Sequence, residues 1–463
     1  MRVLKFGGGC LRNPLGFIRV AEIVKSEYSE PIVAVISAIY GITDLLAEAS
    51  EAALASETEI PQRVDEIRSI HHQIIREAIE NPEARRRAIN DLEPHLKKLE
   101  RLLFGVAYTG ELIDTVRILI LSQGERMSAS VLARVLQEAG LSSEAYESDR
   151  IGIVTFPACE NATANLPLVR TNLQDSLLPV LNEGTVPVVT GFFGCNPEGK
   201  TASFGRNGTD YSAAVIASAL DAGGIDIWKD VDGFMTADPN LIPNAQNIAT
   251  LSYGEAAELS YFGAKILHPR TTEPLSGKDV HIRIRNVHSP KSIGTLIRRQ
   301  GETKDDVIKS VTSNVDISVL RIHGGGVGYK PGIIGEIGQT LASQNINIYS
   351  VITSQTCINL LLDQQDSQRA RDALIPLVDG VIERLELKED VALIAVVGEG
   401  LSTTKGLAAK VFSAVAQEDI NVEMISSGAS EVAYYFIVRH EHMEQAIKAV
   451  HSCFFEASPL GAI

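Results

Sequence analysis

Residues 204–220 read FGRNGTDYSAAVIASAL, a glycine-punctuated loop that runs directly into small and apolar residues. The apolar half predicts a buried helix, which Gly223 would end. Thr209 or Asp210 is expected to cap its amino terminus, where free backbone N–H groups and the helix dipole favour an anion. Arg206 adds a guanidinium suited to a carboxylate or a phosphate. The stretch predicts either an anion site or an ordinary loop-to-helix junction with an aspartate cap.

Other predicted strands end in loops of a similar kind. Lys5 lies near the end of a short apolar strand that runs into three glycines, and Ser37 and Thr43 follow an apolar run at residues 31–36. Ligands bind at the carboxyl edge of open parallel sheets, so these loops favour one phosphate-handling cleft. Lys5 could instead be an exposed structural lysine, and Thr43 could simply cap a helix.

Further along the chain, Glu125 lies near a helix start, where it could cap the helix or bind an amino group. An acidic, glycine-broken loop beginning at Lys229 follows the predicted strand 224–228, and Lys265 is a second candidate phosphate lysine. Residues 151–154, 187–190 and 280–286 are also predicted strands, and residues 56–108 a helical insertion. The chain has no GxxxxGK[ST] pattern and no protein-kinase catalytic loop, which excludes those two classes of kinase.

Composition excludes several other classes of protein. The chain has 463 residues and a net charge of −16 without a long basic run, which argues against nucleic acid as a main partner. Its five cysteines are scattered and show no C-x-x-C spacing, so a disulfide framework or zinc site is not expected, and a reducing cytoplasm fits. Neither a signal peptide nor an apolar run of about 18 residues is found, and we expect no membrane span.

A polar stretch at residues 298–306 predicts a linker, and the sequence beyond it contains a tandem βαββα repeat. Such units pair edge to edge and bind a small ligand, or serve only in dimerisation. The predicted strands are 317–322, 345–348 and 358–363 in the first copy and 391–397, 420–424 and 434–438 in the second.

Six motifs, taken in order, resemble those of the aspartokinases, and the tandem repeat resembles their paired ACT domains. The motifs are Lys5-Phe-Gly-Gly8, Ser37 through Thr43, Gly124-Glu125-Arg126 with Ser128, Gly205-Arg206-Asn207-Gly208 with Asp210, Asp230-Val-Asp-Gly233 and Gly263-Ala-Lys-Ile-Leu-His-Pro269. The resemblance implies an α/β amino acid kinase fold, a three-layer αβα sandwich with a mostly parallel sheet, at residues 1–298. Two α+β, ferredoxin-like ACT domains would follow at 307–385 and 386–463.

The resemblance also implies an activity, namely transfer of the ATP γ-phosphoryl group to the β-carboxylate of L-aspartate. This step gives 4-phospho-L-aspartate and begins lysine, threonine and methionine biosynthesis. Mg²⁺ would arrive with ATP, with no resident metal site. We expect a cytoplasmic homodimer or higher homo-oligomer formed through the ACT domains, without a fused homoserine dehydrogenase.

Site residues are assigned on the same resemblance. Lys5, Gly7 and Gly8 would cradle the ATP phosphates, and Asp210 would orient the reacting groups. The expected aspartate-binding residues are Ser37, Thr43, Glu125 and Arg206. The expected residues of the nucleotide side are Lys229, Asp230, Met235 and Lys265. The expected effector site in the first repeat comprises Gly332, Ile333, Ile334, Tyr349, Thr353 and Ser354.

The chain departs from the usual family pattern at Gly9, Cys10, Lys229, Met235 and Asn240. The core charges are present, which favours an active kinase. The alternative is a weakened paralogue that acts as an amino-acid sensor. Because Lys330 would repel a second cation, we expect lysine to be a poor effector, with threonine, another amino acid or none in its place.

Overall fold

The computed structural model describes residues 1–264, 266–299, 307–378 and 381–456. The described chain divides into two compact units. The first comprises 1–234, 247–253 and 266–301, and the second comprises 235–246, 254–265 and 302–463. Segments 235–246 and 254–265 thus group with the carboxyl-terminal half, although they lie within the range predicted for the kinase domain. The predicted domain boundaries remain a prediction.

A mostly parallel eight-stranded sheet forms the centre of the first unit. Its strands and those of a separate hairpin are β1 (Arg2–Phe6), β2 (Ile32–Ile36), β3 (Ser143–Tyr146), β4 (Val186–Thr190), β5 (Phe193–Cys195), β6 (Thr201–Ser203), β7 (Gly224–Lys229), β8 (Thr250–Ser252), β9 (His281–Asn286) and β10 (Thr295–Arg298). The order is β3-β4-β2-β1-β7-β9-β10-β8, and the antiparallel pair is β9 with β10. β5 and β6 form the hairpin. The central strands β1, β2 and β4 are almost continuously buried, as expected for parallel strands covered on both faces.

Helices cover this sheet. They are α1 (Pro14–Glu27), α2 (Ile42–Ala55), α3 (Ile60–Ala78), α4 (Pro82–Thr109), α5 (Asp114–Leu121), α6 (Gln123–Glu138), α7 (Leu166–Ser176), α8 (Leu178–Asn182) and α9 (Gly208–Ala219). The predicted helical insertion is confirmed as α3 and α4. Leucines spaced three or four apart on α4, including Leu92, Leu96 and Leu99, are fully buried in the core.

The second unit contains two antiparallel sheets. Its strands are β11 (Ser310–Asn314), β12 (Ile317–His323), β13 (Ser350–Thr353), β14 (Cys357–Asp363), β15 (Arg384–Lys388), β16 (Val391–Val397), β17 (Met424–Ser426) and β18 (Ala433–Arg439). Its helices are α10 (Tyr253–Tyr261), α11 (Ile333–Ser343), α12 (Ser367–Leu374), α13 (Leu407–Gln417) and α14 (Met443–His451). The sheet orders are β13-β14-β12-β15 and β11-β16-β18-β17. β11 therefore precedes the first repeat in sequence but pairs with β16 of the second.

Three predicted strands were wrong. Residues 151–154 form a turn, in which Ile153 N–H donates to the Ser148 carbonyl, and only an isolated bridge at Val154 remains. Residues 345–348 and most of 420–424 are irregular, and β13 and β17 begin later. Asn345 and Asp419 both adopt φ of 56°, which ends the preceding helix. The apolar residues that follow, such as Ile346, pack into the core without pairing as strands.

Within the described ranges, no helix combines the length and the apolar character needed to cross a membrane.

Candidate active site

Helix α9 brings the carboxyl-terminal end of the glycine loop into the interior. All of its residues are buried, as the small side chains of the sequence predicted. Its cap is Asn207, with φ of 56°, and the expectation that Thr209 or Asp210 caps the helix was wrong. Before the helix, Gly205 adopts φ of 79° and packs against Asn161, and this conformation forms a tight turn. Asp210 is therefore free of the capping role and lies in the first turn of α9.

Asp210 lies between two lysines from neighbouring strands of the sheet. Its Oδ1 is 2.6 Å from Lys5 Nζ on β1, and its Oδ2 is 3.6 Å from Lys229 Nζ at the end of β7. Burial opposes ionisation of Asp210, but the two ammonium groups outweigh it and lower the pKa of the carboxyl. Burial, with the nearby charge of Lys5, lowers the pKa of Lys229, while Asp210 opposes that shift. One carboxylate thus holds two cations at the carboxyl edge.

A cavity of about 400 Å³ opens beside this cluster within the first unit. Its lining contains the following predicted site residues: Lys5, Gly7, Gly8, Ser37, Thr43, Glu125, Arg206, Lys229 and Asp230. The sequence prediction had not assigned Phe192, Asn207, Thr209 or Trp228, which also line it. Gly9 and Cys10, two positions of departure, belong to the same wall. The strand-end loops therefore converge, which was the central structural expectation.

Glu125 is a buried residue of the cavity lining and lies in the first turn of α6. Its Oε1 accepts a hydrogen bond from the backbone N–H of Ala38 at 3.1 Å. Close packing of Gly124 on Ala38 permits this approach, since a Cβ at Gly124 would lie 2.9 Å from the Ala38 Cβ. Burial raises the pKa of Glu125 to about 8, and the Ala38 N–H only partly offsets that effect. A cationic ligand would restore its charge.

Arg206 is the exposed cation of the cavity. It lies in the loop before α9 and makes no hydrogen bond or ion pair with any residue that the structure describes. A guanidinium in this position can form a bidentate contact with a carboxylate. Arg206 and Glu125 thus place a guanidinium and a buried carboxyl group in one cavity, and an ammonium ligand beside Glu125 would favour the ionised form of that carboxyl.

Asp230 lies at the mouth of the cavity next to the glycine loop. A Cβ at Gly9 would lie 3.1 Å from Asp230 Oδ2, so the glycine allows the carboxylate to approach the loop. Cys10 is buried below, with its Sγ 3.2 Å from the Trp228 carbonyl, and burial raises the pKa of this thiol to about 11. The thiol is therefore protonated at neutral pH and contributes no charge to the site.

Two residues assigned to the nucleotide side are not placed with the others. Lys265 lies outside the described residues. Met235 belongs to the second unit, where its carbonyl accepts a hydrogen bond from Ser310 Oγ at 2.8 Å. Their roles remain predictions.

The predicted effector residues lie around the loop that leads into α11. Gly332, with φ of 94°, caps the helix, Ile333 is buried and Ile334 is exposed. Gly328 N–H donates to the Gln355 carbonyl, which sets this loop against the turn that contains Ser354 and follows Thr353 of β13. Tyr349 N–H donates to Leu361, and its carbonyl accepts from Tyr261. The geometry is compatible with a small-ligand site but identifies no ligand.

Metal binding at this edge depends on which carboxylates lie close together. Across the described ranges, no group of three or more His, Cys, Asp or Glu side chains is arranged to hold a metal ion. Mg²⁺ in phosphoryl-transfer sites commonly uses one or two carboxylates together with phosphate oxygens and water. The donor set here, in which Asp230 lies beside the glycine loop, therefore fits a metal that comes with the nucleotide.

Comparison with known proteins agrees with this arrangement. Residues 1–286 match the Amino acid kinase family, and residues 394–454 match an ACT domain. The chain is 32% identical to the lysine-sensitive aspartokinase 3 of Escherichia coli over 461 residues, covering 98% of this chain and 99% of that protein. The chain belongs to the amino acid kinase family and, within it, to the aspartokinases. It also spans 56% of the bifunctional aspartokinase/homoserine dehydrogenase of Buchnera aphidicola, to which it is 30% identical over 98% of its own length.

Two solved structures of E. coli aspartokinase III are similar to this aspartokinase over its whole length. One is a complex with aspartate and ADP, and the other a complex with lysine and aspartate. Each has a TM-score of 0.83 and 30% identity, with 98% of this chain covered and 100% or 99% of the other. The amino acid kinase fold with ACT domains, predicted from the motifs, is confirmed.

Proposed function

We propose that this aspartokinase transfers the γ-phosphoryl group of ATP to the β-carboxylate of L-aspartate and releases 4-phospho-L-aspartate and ADP. The observation that carries the proposal is the Lys5–Asp210–Lys229 cluster, in which Lys5 and Asp210 are buried, at the edge of a cavity whose lining includes several glycines. Phosphoryl transfer needs in-line positioning and neutralisation of negative charge more than covalent chemistry. The lysines and the free backbone N–H groups supply that charge at fixed positions.

On the nucleotide side, Lys5 with Gly7 and Gly8 would hold the phosphates. Glycines allow the backbone to approach phosphate oxygens closely. Lys229 would add a second ammonium on the same face, and Asp210 would orient both lysines. Lys5 would act electrostatically: its ammonium would neutralise negative charge on the transferring phosphoryl group, without a proton transfer.

On the acceptor side, Arg206 would bind the α-carboxylate of aspartate and Glu125 its ammonium. Ser37 and Thr43 would complete the site with hydroxyl groups, leaving the β-carboxylate directed at the phosphates. A guanidinium together with a carboxyl group that a ligand ammonium would ionise favours an amino acid over a simple carboxylate or a carbamate.

Mg²⁺ would neutralise phosphate oxygens when the nucleotide is bound, and Asp230 is the carboxylate best placed to contact it. The E. coli structure contains ADP, which supports use of ATP, and the metal is part of the proposal alone. Scattered, unpaired cysteines support a reducing compartment such as the cytoplasm. The paired ACT sheets support a homodimer or larger assembly.

The test is a coupled assay of ADP release with aspartate, ATP and Mg²⁺. Wild-type protein should turn over, and Lys5→Ala should lose at least about a hundredfold in kcat. Lys200→Ala is the matched control, because Lys200 is an exposed lysine paired with Glu198. If the wild type shows no turnover with any amino acid as acceptor, the proposed kinase activity is refuted.

A second candidate is a weakened paralogue that senses amino acids. The observation that favours it is the substituted nucleotide wall at Gly9, Cys10 and Lys229. Such a protein would bind an amino acid in calorimetry and release no ADP. Calorimetry with a panel of amino acids, run beside the ADP assay, separates the two functions.

For regulation, we propose an amino-acid effector bound near the loop of residues 324–332, with lysine as a poor ligand. One solved structure of the E. coli relative is a complex with lysine and aspartate, so a basic amino acid is a ligand of that relative. Here Lys330 is an exposed cation on that loop. Threonine or another neutral amino acid would avoid the repulsion.

A further inference from the structure

Arg12 connects three of the loops that surround the cavity. It follows the glycine loop, and its Nη2 lies 3.2 Å from Oδ2 of Asp230. Its guanidinium also lies over the ring of Tyr40, 4.2 Å from the centroid. Tyr40 belongs to the loop between β2 and α2, in which Ser37 also lies. A single side chain thus touches the β2–α2 and β7 loops from its place beside the glycine loop.

The contact with Asp230 is easily exchanged. The Arg12 and Asp230 side chains are 51% and 43% exposed, and ion pairs of that kind contribute little because water competes for both charges. Asp230 itself lines the cavity, which places the guanidinium at the cavity rim. Its position is better determined by Tyr40, whose ring covers one face of the guanidinium and leaves its N–H edge available.

We propose that Arg12 is a further phosphate-binding residue of the nucleotide site, oriented by Tyr40, and that it exchanges Asp230 for a nucleotide phosphate. This inference rests on the proposed function, because it adds a ligand to the same nucleotide. A planar guanidinium can bind phosphate in a bidentate manner. The exposed ion pair with Asp230 does not prevent this, because a phosphate can replace the carboxylate. The exchange also frees the Asp230 carboxylate for the metal that accompanies the nucleotide.

The chain offers a control of equal charge. Arg19 lies seven residues later, on α1, and its Nη1 is 3.0 Å from Nδ1 of His288. Neither arginine is among the residues that line the cavity, but Arg12 contacts Asp230, which does line it, whereas Arg19 contacts His288, which does not. Arg19→Ala therefore removes the same charge from the same segment without removing the contact with Tyr40 or Asp230.

The experiment measures Kd for MgATP and for inorganic tripolyphosphate by calorimetry on the full chain. Arg12→Ala should weaken both by about tenfold, as expected for loss of a hydrogen-bonded charge. Tyr40→Leu should give a smaller loss, about two- to fivefold, and Arg19→Ala should bind as the wild type does. Arg12→Lys should recover part of the affinity, and KM for aspartate should be unchanged in all four variants.

Each result points one way. Equal affinity of wild type and Arg12→Ala for MgATP would overturn the inference alone. A wild type that binds neither MgATP nor tripolyphosphate would overturn the proposed function with it. Should Arg12→Ala fail to fold by circular dichroism, Arg12→Lys and Tyr40→Leu provide the same comparison, and unchanged binding in both would overturn the inference.

Discussion

The Nζ atom of Lys5 lies 2.6 Å from Oδ1 of Asp210, and the two side chains are 7% and 2% exposed. This ion pair joins the last part of β1 to the first turn of α9. Asp210 also has an electrostatic role, because its other carboxylate oxygen faces Lys229. The carboxylate of Asp210 thus holds the ammonium groups of Lys5 and Lys229 where an incoming phosphate could bind them.

Asp210→Asn should damage both folding and activity. It keeps the shape of the side chain but leaves the buried ammonium group of Lys5 and the partly exposed one of Lys229 without a counter-charge, and loss of a buried partner typically costs about 3–5 kcal/mol of unfolding free energy. We expect kcat to fall at least about a hundredfold, because the lysines lose their orientation. Urea denaturation and ADP release measure the two effects.

Asp221→Asn is the control for that variant. Asp221 follows the other end of α9, where it is 53% exposed and pairs with Arg170 and Lys278. The change should cost no more than about 1 kcal/mol and leave kcat unaltered. Equal behaviour of the two variants would show that the buried cluster has no special role.

The pKa of Glu125 predicts opposite trends for stability and for aspartate binding. Burial raises this pKa from 4.5 in the unfolded chain to about 8 in the folded protein. Between those values the folded state binds a proton that the unfolded state has released, so the contribution of Glu125 to stability declines as pH rises through this window. Aspartate binding needs the ionised carboxylate, so KM for aspartate should fall as pH rises towards about 8.5.

Glu125→Gln checks both trends, since the amide oxygen can still accept the Ala38 N–H. The variant should raise Tm at about pH 8.5, where the buried charge is costly, and should abolish the pH dependence of KM for aspartate while raising its value about tenfold. Glu198→Gln, at an exposed carboxylate, serves as the control. A wild-type KM that is flat between about pH 6.5 and 8.5 would contradict the assignment of Glu125 to the substrate ammonium.

Arg126 should be essential for stability although it is adjacent to Glu125. Its guanidinium is buried, pairs with Glu147 and Asp149, and lies over the ring of Phe193 at 4.5 Å. Arg126→Lys keeps the positive charge but loses the planar hydrogen bonds, and we expect a loss of about 1.5–3 kcal/mol in unfolding free energy. Arg150→Lys is the comparison, because Arg150 also pairs with Glu147 but is 72% exposed. Thermal unfolding of both variants should separate them, and similar Tm values would refute the argument.

Residues at strand ends could be predicted because the parallel sheet has a simple geometry. Lys5, Ser37 and Lys229 each lie at or just after the end of an apolar strand, and the carboxyl ends of such strands meet at one edge. The motifs accordingly predict Lys5, Glu125 and Arg206 at a common cleft, and all three line the same cavity. Their roles there remain proposals.

The remaining features depend on contacts that no local pattern encodes. Arg12 and Tyr40 are exposed, and nothing in their spacing indicates that the two side chains stack. The pairing of β11 with β16 could not be read from either strand, because alternation determines which face is buried and not which strand lies alongside. Residues 345–348 resembled a strand because Ile346 is apolar and buried, but it packs into the core just after α11 without pairing as a strand.

Lysine should be a weak inhibitor, and Lys330→Ala should strengthen its effect. Lys330 is exposed on the loop of residues 324–332, so its repulsion of a cationic ligand acts through solvent and is screened by salt. We therefore expect Lys330→Ala to lower the inhibitory concentration of lysine about two- to fivefold at low ionic strength and hardly at all in about 1 M salt. Inhibition by threonine should not change, because a neutral side chain feels no such repulsion. Kinase assays with both amino acids at two salt concentrations test this, with Lys410→Ala, an exposed lysine on α13, as the control. Tight inhibition of the wild type by lysine would show that Lys330 does not face the ligand.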